Sequence, residues 1–158
     1  MSLWDPANAG AWTLTLNGTN CNTHAWFALD CHQLRPSVDR RGSSRTIPSV
    51  VGRKPRRARD DEVTEVLEVL FTGNVTTAGV AASDPQRQLQ TNLRAFEAAV
   101  VDATGDANGC ITATLAGSGV TYAGLVQIRK WRVGDGLTEC SAALTLSIPA
   151  GRLAVTGS

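Results

Sequence analysis

The chain has 158 residues, of which 42% are hydrophobic and 18% charged, and its formal net charge is +1. A chain of this length suits one domain and buries roughly two-thirds of its unfolded surface, so its core needs no disulfides. No apolar run approaches the length of about eighteen residues that a membrane-spanning helix needs, which excludes a helical membrane protein.

The first residues predict a protein that is not exported. Residues 1–12 lack the basic and apolar stretches of a signal peptide, so we expect the chain to stay in the cytoplasm of the cell that makes it. Thiols remain reduced in that compartment. Four residues are therefore expected to be free thiols: Cys21, Cys31, Cys110 and Cys140. Disulfides are the alternative only if the finished protein ends up outside a cell.

Two strands are predicted in the first thirty residues. Residues 11–18, AWTLTLNG, alternate between apolar and polar side chains and end in an Asn17-Gly18 turn, a pattern typical of a half-buried strand. Residues 24–30, HAWFALD, are rich in aromatic and apolar side chains and predict a second strand.

Residues 35–61 lose this periodicity and contain three prolines and two glycines, which predicts a long loop or hairpin arm that leaves the core. The arm is also strongly basic. Its stretch 40–59 holds eight of the fifteen Lys and Arg residues of the chain and none of the fourteen acidic residues. The remainder of the chain is therefore net acidic.

The middle of the chain predicts a strand, a loop and a helix. Residues 62–72, EVTEVLEVLFT, favour a strand because β-branched and apolar residues dominate, although the glutamates leave a short helix as the alternative. Residues 75–83 are small and predict a loop. Residues 84–101 predict the helix, because Asp84 is a typical N-cap and Pro85 a typical first residue. An apolar stripe follows at helical spacing: Leu89, Leu93, Phe96 and Val100.

Three further strands are predicted over residues 110–117, 120–133 and 139–149, with turn residues between them. Successive strands joined by turns indicate a mainly β fold. We expect an antiparallel β-sandwich or barrel, with one flanking helix and the extended arm, in a single domain that spans residues 1–158.

No arrangement of residues nominates a catalytic site. A hydrolase or transferase needs a nucleophile, a base and an orienting group, and the sequence contains no G-x-S-x-G, no phosphate-binding glycine loop and no H-E-x-x-H. We expect the chain not to be an enzyme and to bind no cofactor.

A C-x2-H-x6-C-H pattern raises the possibility of a zinc site formed by Cys21, His24, Cys31 and His32. Adjacent residues on a strand point to opposite faces, which makes Cys31 and His32 poor joint ligands. The intervening AWFAL also has the character of a core strand. We favour buried thiols with surface histidines over a metal site.

The basic arm has three interpretations. Dense arginine suits phosphate binding, but residues 35–59 contain no aromatic residue for base stacking, and no known nucleic-acid-binding motif accompanies them. A solvated loop is the second interpretation. We favour the third, an arm whose apolar tip is buried on a neighbouring subunit while arginines pair with its carboxylates. The residues assigned to this interface are Arg45, Ile47, Pro48, Val50, Val51, Arg53, Lys54, Arg56, Arg57 and Arg59.

The order of these features resembles the N-terminal ring domain of siphophage distal tail proteins and related tail-tube-like minor tail proteins. The resemblance covers residues 11–133, and Ser49 departs from it because glycine often follows the proline there. The features that carry it are a first strand ending in Leu16-Asn17-Gly18, a second strand bearing Trp26, an excursion with Ile47-Pro48 and Gly52, the strand VLEVLFTG at 66–73, and the helix QLQTNLRAFEAAV at 88–100.

The resemblance implies a virion structural protein at the tail tip. Six copies would form a ring that joins the tail tube protein to the tail-tip hub protein, and the tape measure protein and the DNA would pass through its lumen. Residues 35–61 would be a belt on the adjacent subunit, and 84–101 an outer helix. The chain would be the ring domain alone, assembled in the host cytoplasm. A tail tube subunit, a tail terminator and an arginine-rich nucleic-acid-binding β-barrel remain alternatives.

Overall fold

The computed structural model describes residues 12–36 and 62–157, together with the backbone of four short strands between them. The strands are β1 (Thr13–Leu16), β2 (Thr19–Asn20), β3 (Trp26–Leu29), β4 (Arg40–Arg41), β5 (Ser44–Thr46), β6 (Arg53–Pro55), β7 (Arg59–Asp60), β8 (Val63–Thr72), β9 (Ile111–Gly117), β10 (Val120–Val133), β11 (Glu139–Ile148) and β12 (Ala154–Gly157). The helix α1 (Pro85–Phe96) continues into a π-helical turn, Glu97–Val101, and a 3-10 turn spans Cys31–Leu34.

One antiparallel sheet of eight strands forms the body, in the order β2-β1-β9-β10-β11-β8-β3 with β12 added beside β10. Strand β10 belongs to both halves of this sheet, because its first part pairs with β9 and its last part with β11. The register shifts between Ile128 and Lys130, so the strand carries a bulge between its two halves. The mainly β fold with one helix is confirmed, and Val63–Thr72 of the predicted segment 62–72 form a strand rather than the alternative helix.

The helix packs on this sheet as the apolar stripe predicts. The Asp84 carboxylate accepts a hydrogen bond from the backbone N–H of Arg87 at 3.3 Å and so caps the first turn. All four residues of the stripe are buried. Asn92 is buried on the same face, and its amide donates to the carbonyl oxygens of Thr72 at 2.8 Å and Val75 at 3.1 Å. These bonds join the helix to the end of β8.

Four aromatic rings fill the space between the helix and the sheet. Phe96 lies edge-on to Trp26 and Phe71, with ring centroids 5.5 and 5.3 Å away, and stacks on Trp131 at 5.2 Å. The indole N–H of Trp131 donates to a Glu97 carboxylate oxygen at 3.0 Å, so its polar atom has a partner. One helix is thereby joined to three strands, β3, β8 and β10.

Within the described residues, no helix combines the length and the apolar character needed to cross a membrane. The single domain over residues 1–158 stays a prediction, because residues 1–11 and much of 37–61 lie outside the described part of the chain.

Candidate functional site

The described strands of the arm form an antiparallel ribbon. Strand β4 pairs with β7, and β5 pairs with β6. The register places Arg41 opposite Arg59 and Arg45 opposite Lys54. Among the described strands, β4 with β7 and β5 with β6 form two-stranded sheets that are separate from the eight-stranded sheet.

The structure describes only part of the predicted interface. Arg45, Arg53, Lys54 and Arg59 lie on the ribbon strands. The other six predicted residues lie outside the described residues: Ile47, Pro48, Val50, Val51, Arg56 and Arg57. Their role in a subunit interface stays a prediction.

The sequence of the ribbon strands is strongly basic. Besides the two pairs of basic residues, the register places Arg40 opposite Asp60. Six of the residues on these four strands are basic and one is acidic: Arg40, Arg41, Arg45, Arg53, Lys54 and Arg59 against Asp60. The composition of the arm is therefore complementary to an acidic surface or a polyanion.

The chain is held firmly where it enters the arm. The Arg35 guanidinium lies over the Trp12 ring at 5.7 Å, and this ring stacks on Tyr122 with centroids 6.3 Å apart. Arg35 Nε also donates to the His32 carbonyl oxygen at 3.1 Å. A side chain at Gly117 would place its Cβ 2.4 Å from the Trp12 ring, so this glycine leaves room for the stack.

The chain is held again where it leaves the arm. Arg129 Nη2 donates to a Glu62 carboxylate oxygen at 2.9 Å, and Arg129 Nε donates to the Ser147 hydroxyl at 3.0 Å. Pro36 and Val63 line one cleft, so the two ends of the arm lie side by side. No local sequence pattern predicts the contacts of Glu62, because Arg129 on β10 and Ser147 on β11 are more than sixty residues away from it.

The Glu62 contact has a measurable pH dependence. Its hydrogen bond with Arg129, and secondarily with Ser147, lowers the pKa of Glu62. A lowered folded-state pKa stabilises the contact above the ordinary pKa of glutamate, and the effect is lost as the pH falls through the folded-state value. In an NMR titration of the Glu62 carboxyl carbon, Arg129→Gln should raise this pKa towards its ordinary value.

Arg132→Gln is the matched control, because it removes another exposed arginine of β10. It should leave the Glu62 titration nearly unchanged. An Arg129→Gln variant in which Glu62 titrates as in the wild type would show that the ion pair does not hold the arm base in solution.

The four residues of the cysteine and histidine pattern are buried or half-buried. Cys21 and Cys31 are buried, and burial raises the pKa of their thiols to about 12 and about 11, which keeps both protonated. The predicted buried thiols are confirmed, whereas His24 and His32 are half-buried rather than surface residues. The His24 ring lies against Gly79. Within the described residues, no three His, Cys, Asp or Glu residues are placed to hold a metal ion.

No protein-family model and no curated protein sequence matches the chain. Among solved structures, its fold is similar to the crystal structure of SPP1 Dit (gp 19.1), with a TM-score of 0.54 and 13% sequence identity. That protein is described as a paradigm of the hub adsorption apparatus in phages that infect Gram-positive hosts. The alignment covers 87% of this chain and 49% of SPP1 Dit, so the chain spans about half the length of that protein. The chain therefore has a fold similar to part of a phage Dit protein.

Proposed function

We propose that the chain is a structural subunit of a phage tail, and that six copies form a ring at its distal end around the DNA channel. The observation that carries this proposal is the similarity to SPP1 Dit over 87% of the chain. In this role the ring joins the tail tube to the tail-tip hub, and the tape measure protein and DNA pass through its lumen. The role needs no catalytic group and no cofactor.

In this ring the arm fastens each subunit to the next. Residues 40–59 carry eight positive and no negative charges, whereas the rest of the chain carries seven positive and fourteen negative charges. The arm of one copy is therefore complementary in charge to the body of another, and its apolar stretch, Ile47–Val51, can be buried in the same contact. A closed ring repeats this contact at every interface, so each one can be modest.

The anchors at the arm base support the same role. Arg35 on the entering segment and Glu62 on the leaving segment are both held by side chains of the sheet. Fixing both ends limits the directions in which the ribbon extends and reduces the entropy lost when it binds a neighbour.

The ribbon also favours a second candidate, a nucleic-acid-binding β-barrel. A two-stranded ribbon fits the major groove of DNA, and the eight Lys and Arg residues of stretch 40–59 supply the charge that phosphate binding needs. This function predicts an affinity that falls steeply as the salt concentration rises.

The two candidates predict different effects when Arg53, Lys54, Arg56 and Arg57 are changed to serine. On the tail-ring proposal, the dissociation constant of the oligomer should rise at least tenfold because rim contacts are lost from every interface. Sedimentation over a range of concentrations, with native mass spectrometry for copy number, measures this effect.

The matched control changes Arg87, Arg94, Lys130 and Arg132 to serine, which removes the same charge from exposed positions of the body. This control should assemble like the wild type. A wild-type oligomer that the arm substitutions leave intact would contradict the arm contact. Loss of DNA binding at physiological salt in that same variant would favour the nucleic-acid candidate.

A further inference from the structure

We propose that the arm binds one particular surface of the next copy, an apolar and acidic patch at the opposite end of the body. This inference rests on the proposed function and names the partner surface that the function leaves open. We call the surface the end patch and define it by three exposed residues of one loop: Asp135, Leu137 and Glu139.

The dipeptide Gly73-Asn74 fixes the loop that carries the end patch and joins it to the loop after β8. The backbone N–H of Gly73 donates to the carbonyl oxygen of Thr138 at 2.7 Å, which fixes the loop between β10 and β11. The carbonyl oxygen of Asn74 accepts from Ala82 at 2.9 Å, which fixes the loop that follows β8. The Asn74 amide also donates to a Glu139 carboxylate oxygen at 2.8 Å, so the two loops meet at the end of the sheet.

The end patch has the chemistry that the arm requires. Leu137 is apolar and yet 72% exposed. Asp135 and Glu139 flank Leu137 in the same loop and supply negative charge. An apolar centre with acidic neighbours is complementary to an apolar tip between basic strands.

The arm and the end patch lie at opposite ends of one strand. The arm joins β8 at Val63, whereas the end patch adjoins its last residue, because Glu139 pairs with Thr72. The strand has ten residues and is therefore about 30 Å long. Two different complementary surfaces at opposite ends produce head-to-tail contacts, which generate rings or filaments rather than two-fold dimers.

Other large apolar residues are also exposed in the described part of the chain: Val66, Val80, Leu125, Val133 and Val155. Two of them serve as comparison positions. Val66 has neighbours of both charges, because Glu68 lies two residues along the same face of β8 and Lys130 lies two strands away in the same row. Val155 lies at the arm base, in a cleft with Arg35. Both residues two positions from Leu137 are acidic, which favours Leu137 as the contact of a basic arm.

Disulfide trapping between full-chain variants that each carry one added cysteine tests the proposal, because the four native cysteines are buried. Val51→Cys is mixed with Leu137→Cys under mild oxidation, and the covalent heterodimer is followed by non-reducing electrophoresis and mass spectrometry. We expect the heterodimer of Val51→Cys with Leu137→Cys to form at least tenfold faster than the control heterodimers. In the controls, Val51→Cys is mixed with Val66→Cys or with Val155→Cys, which introduce a cysteine at another exposed valine.

Each outcome decides a separate question. Preferential trapping at Val66 or Val155 would overturn the end patch as the partner surface and leave the interface arm intact. Preferential homodimers of Val51→Cys alone would indicate a symmetric tip-to-tip contact and overturn the head-to-tail arrangement. Equally slow trapping in every mixture would overturn both the end patch and the arm contact in the proposed function.

Discussion

Replacing Gly73 with alanine should lower the free energy of unfolding by on the order of 3 kcal/mol, because helix α1 crosses β8 directly over this residue. An added Cβ would lie 1.9 Å from the Pro85 carbonyl oxygen and 2.8 Å from the Leu89 backbone nitrogen. Both atoms belong to the helix backbone, so no side-chain rotation removes the clash and the helix must shift. Urea denaturation measures the loss, and the melting temperature should fall by roughly 10 °C.

Gly109→Ala is the control for this substitution. Gly109 has a φ of +75° and no neighbouring atom within 4 Å of an added Cβ, so its alanine variant experiences only left-handed backbone strain, about 1–2 kcal/mol. Equal losses in the two variants would show that the helix does not press on Gly73. Because the Gly73 backbone also holds the loop of the end patch, a displaced helix should in addition weaken trapping at Leu137.

Much of the body could be predicted from local sequence patterns. Residues 120–133 form a strand with the predicted bounds, and the Asn17-Gly18 turn has φ values of 51° and 77°, as a tight hairpin requires. The helix begins at Pro85 because Asp84 and Pro85 act within a single turn of the chain. In each case the residues that determine the element lie within or directly beside it, so the sequence alone is sufficient to predict the element.

Other parts of the fold depend on distant residues and escaped prediction. Strands β2 and β12 have two and four residues, too few to show a periodic pattern. Strand β1 pairs with β9, almost a hundred residues later, and no local signal specifies that choice. The sequence around Gly73 indicates only a turn. The reason that a side chain does not fit at this position is the contact with the backbone of α1, which the sequence does not show.

In the candidate site, too, some features follow from local sequence and others from contacts between distant segments. The basic composition and the punctuation by proline and glycine predicted an arm at residues 35–61. The pairing of Arg45 with Lys54, the stack of Arg35 on Trp12 and the end patch all depend on which segments meet in space. Charge totals indicated that arm and body are complementary, but only the topology places the two surfaces at opposite ends of β8.

Replacing Phe96 with alanine should produce the largest loss of stability among the side-chain truncations considered, about 3–5 kcal/mol. The ring is fully buried and contacts three other aromatic rings, so its removal deletes apolar burial and leaves a cavity where the helix meets three strands. A domain is typically stable by about 5–15 kcal/mol, so the variant should lose a large share of its stability. Urea denaturation gives the change, and tryptophan fluorescence should report it locally because Trp26 and Trp131 flank the ring.

Phe27→Ala is the matched control, since Phe27 is only half-buried and lies on β3 beside the same cluster. It should cost far less than Phe96→Ala, in proportion to the smaller area that it removes from the interior. Similar losses for the two variants would mean that the aromatic cluster does not dominate the contact between helix and sheet. The expected difference means that the aromatic cluster between α1 and the sheet contributes much of the stability of the body. Residues of the arm and the end patch lie outside this cluster, so substitutions there can test assembly without unfolding the subunit.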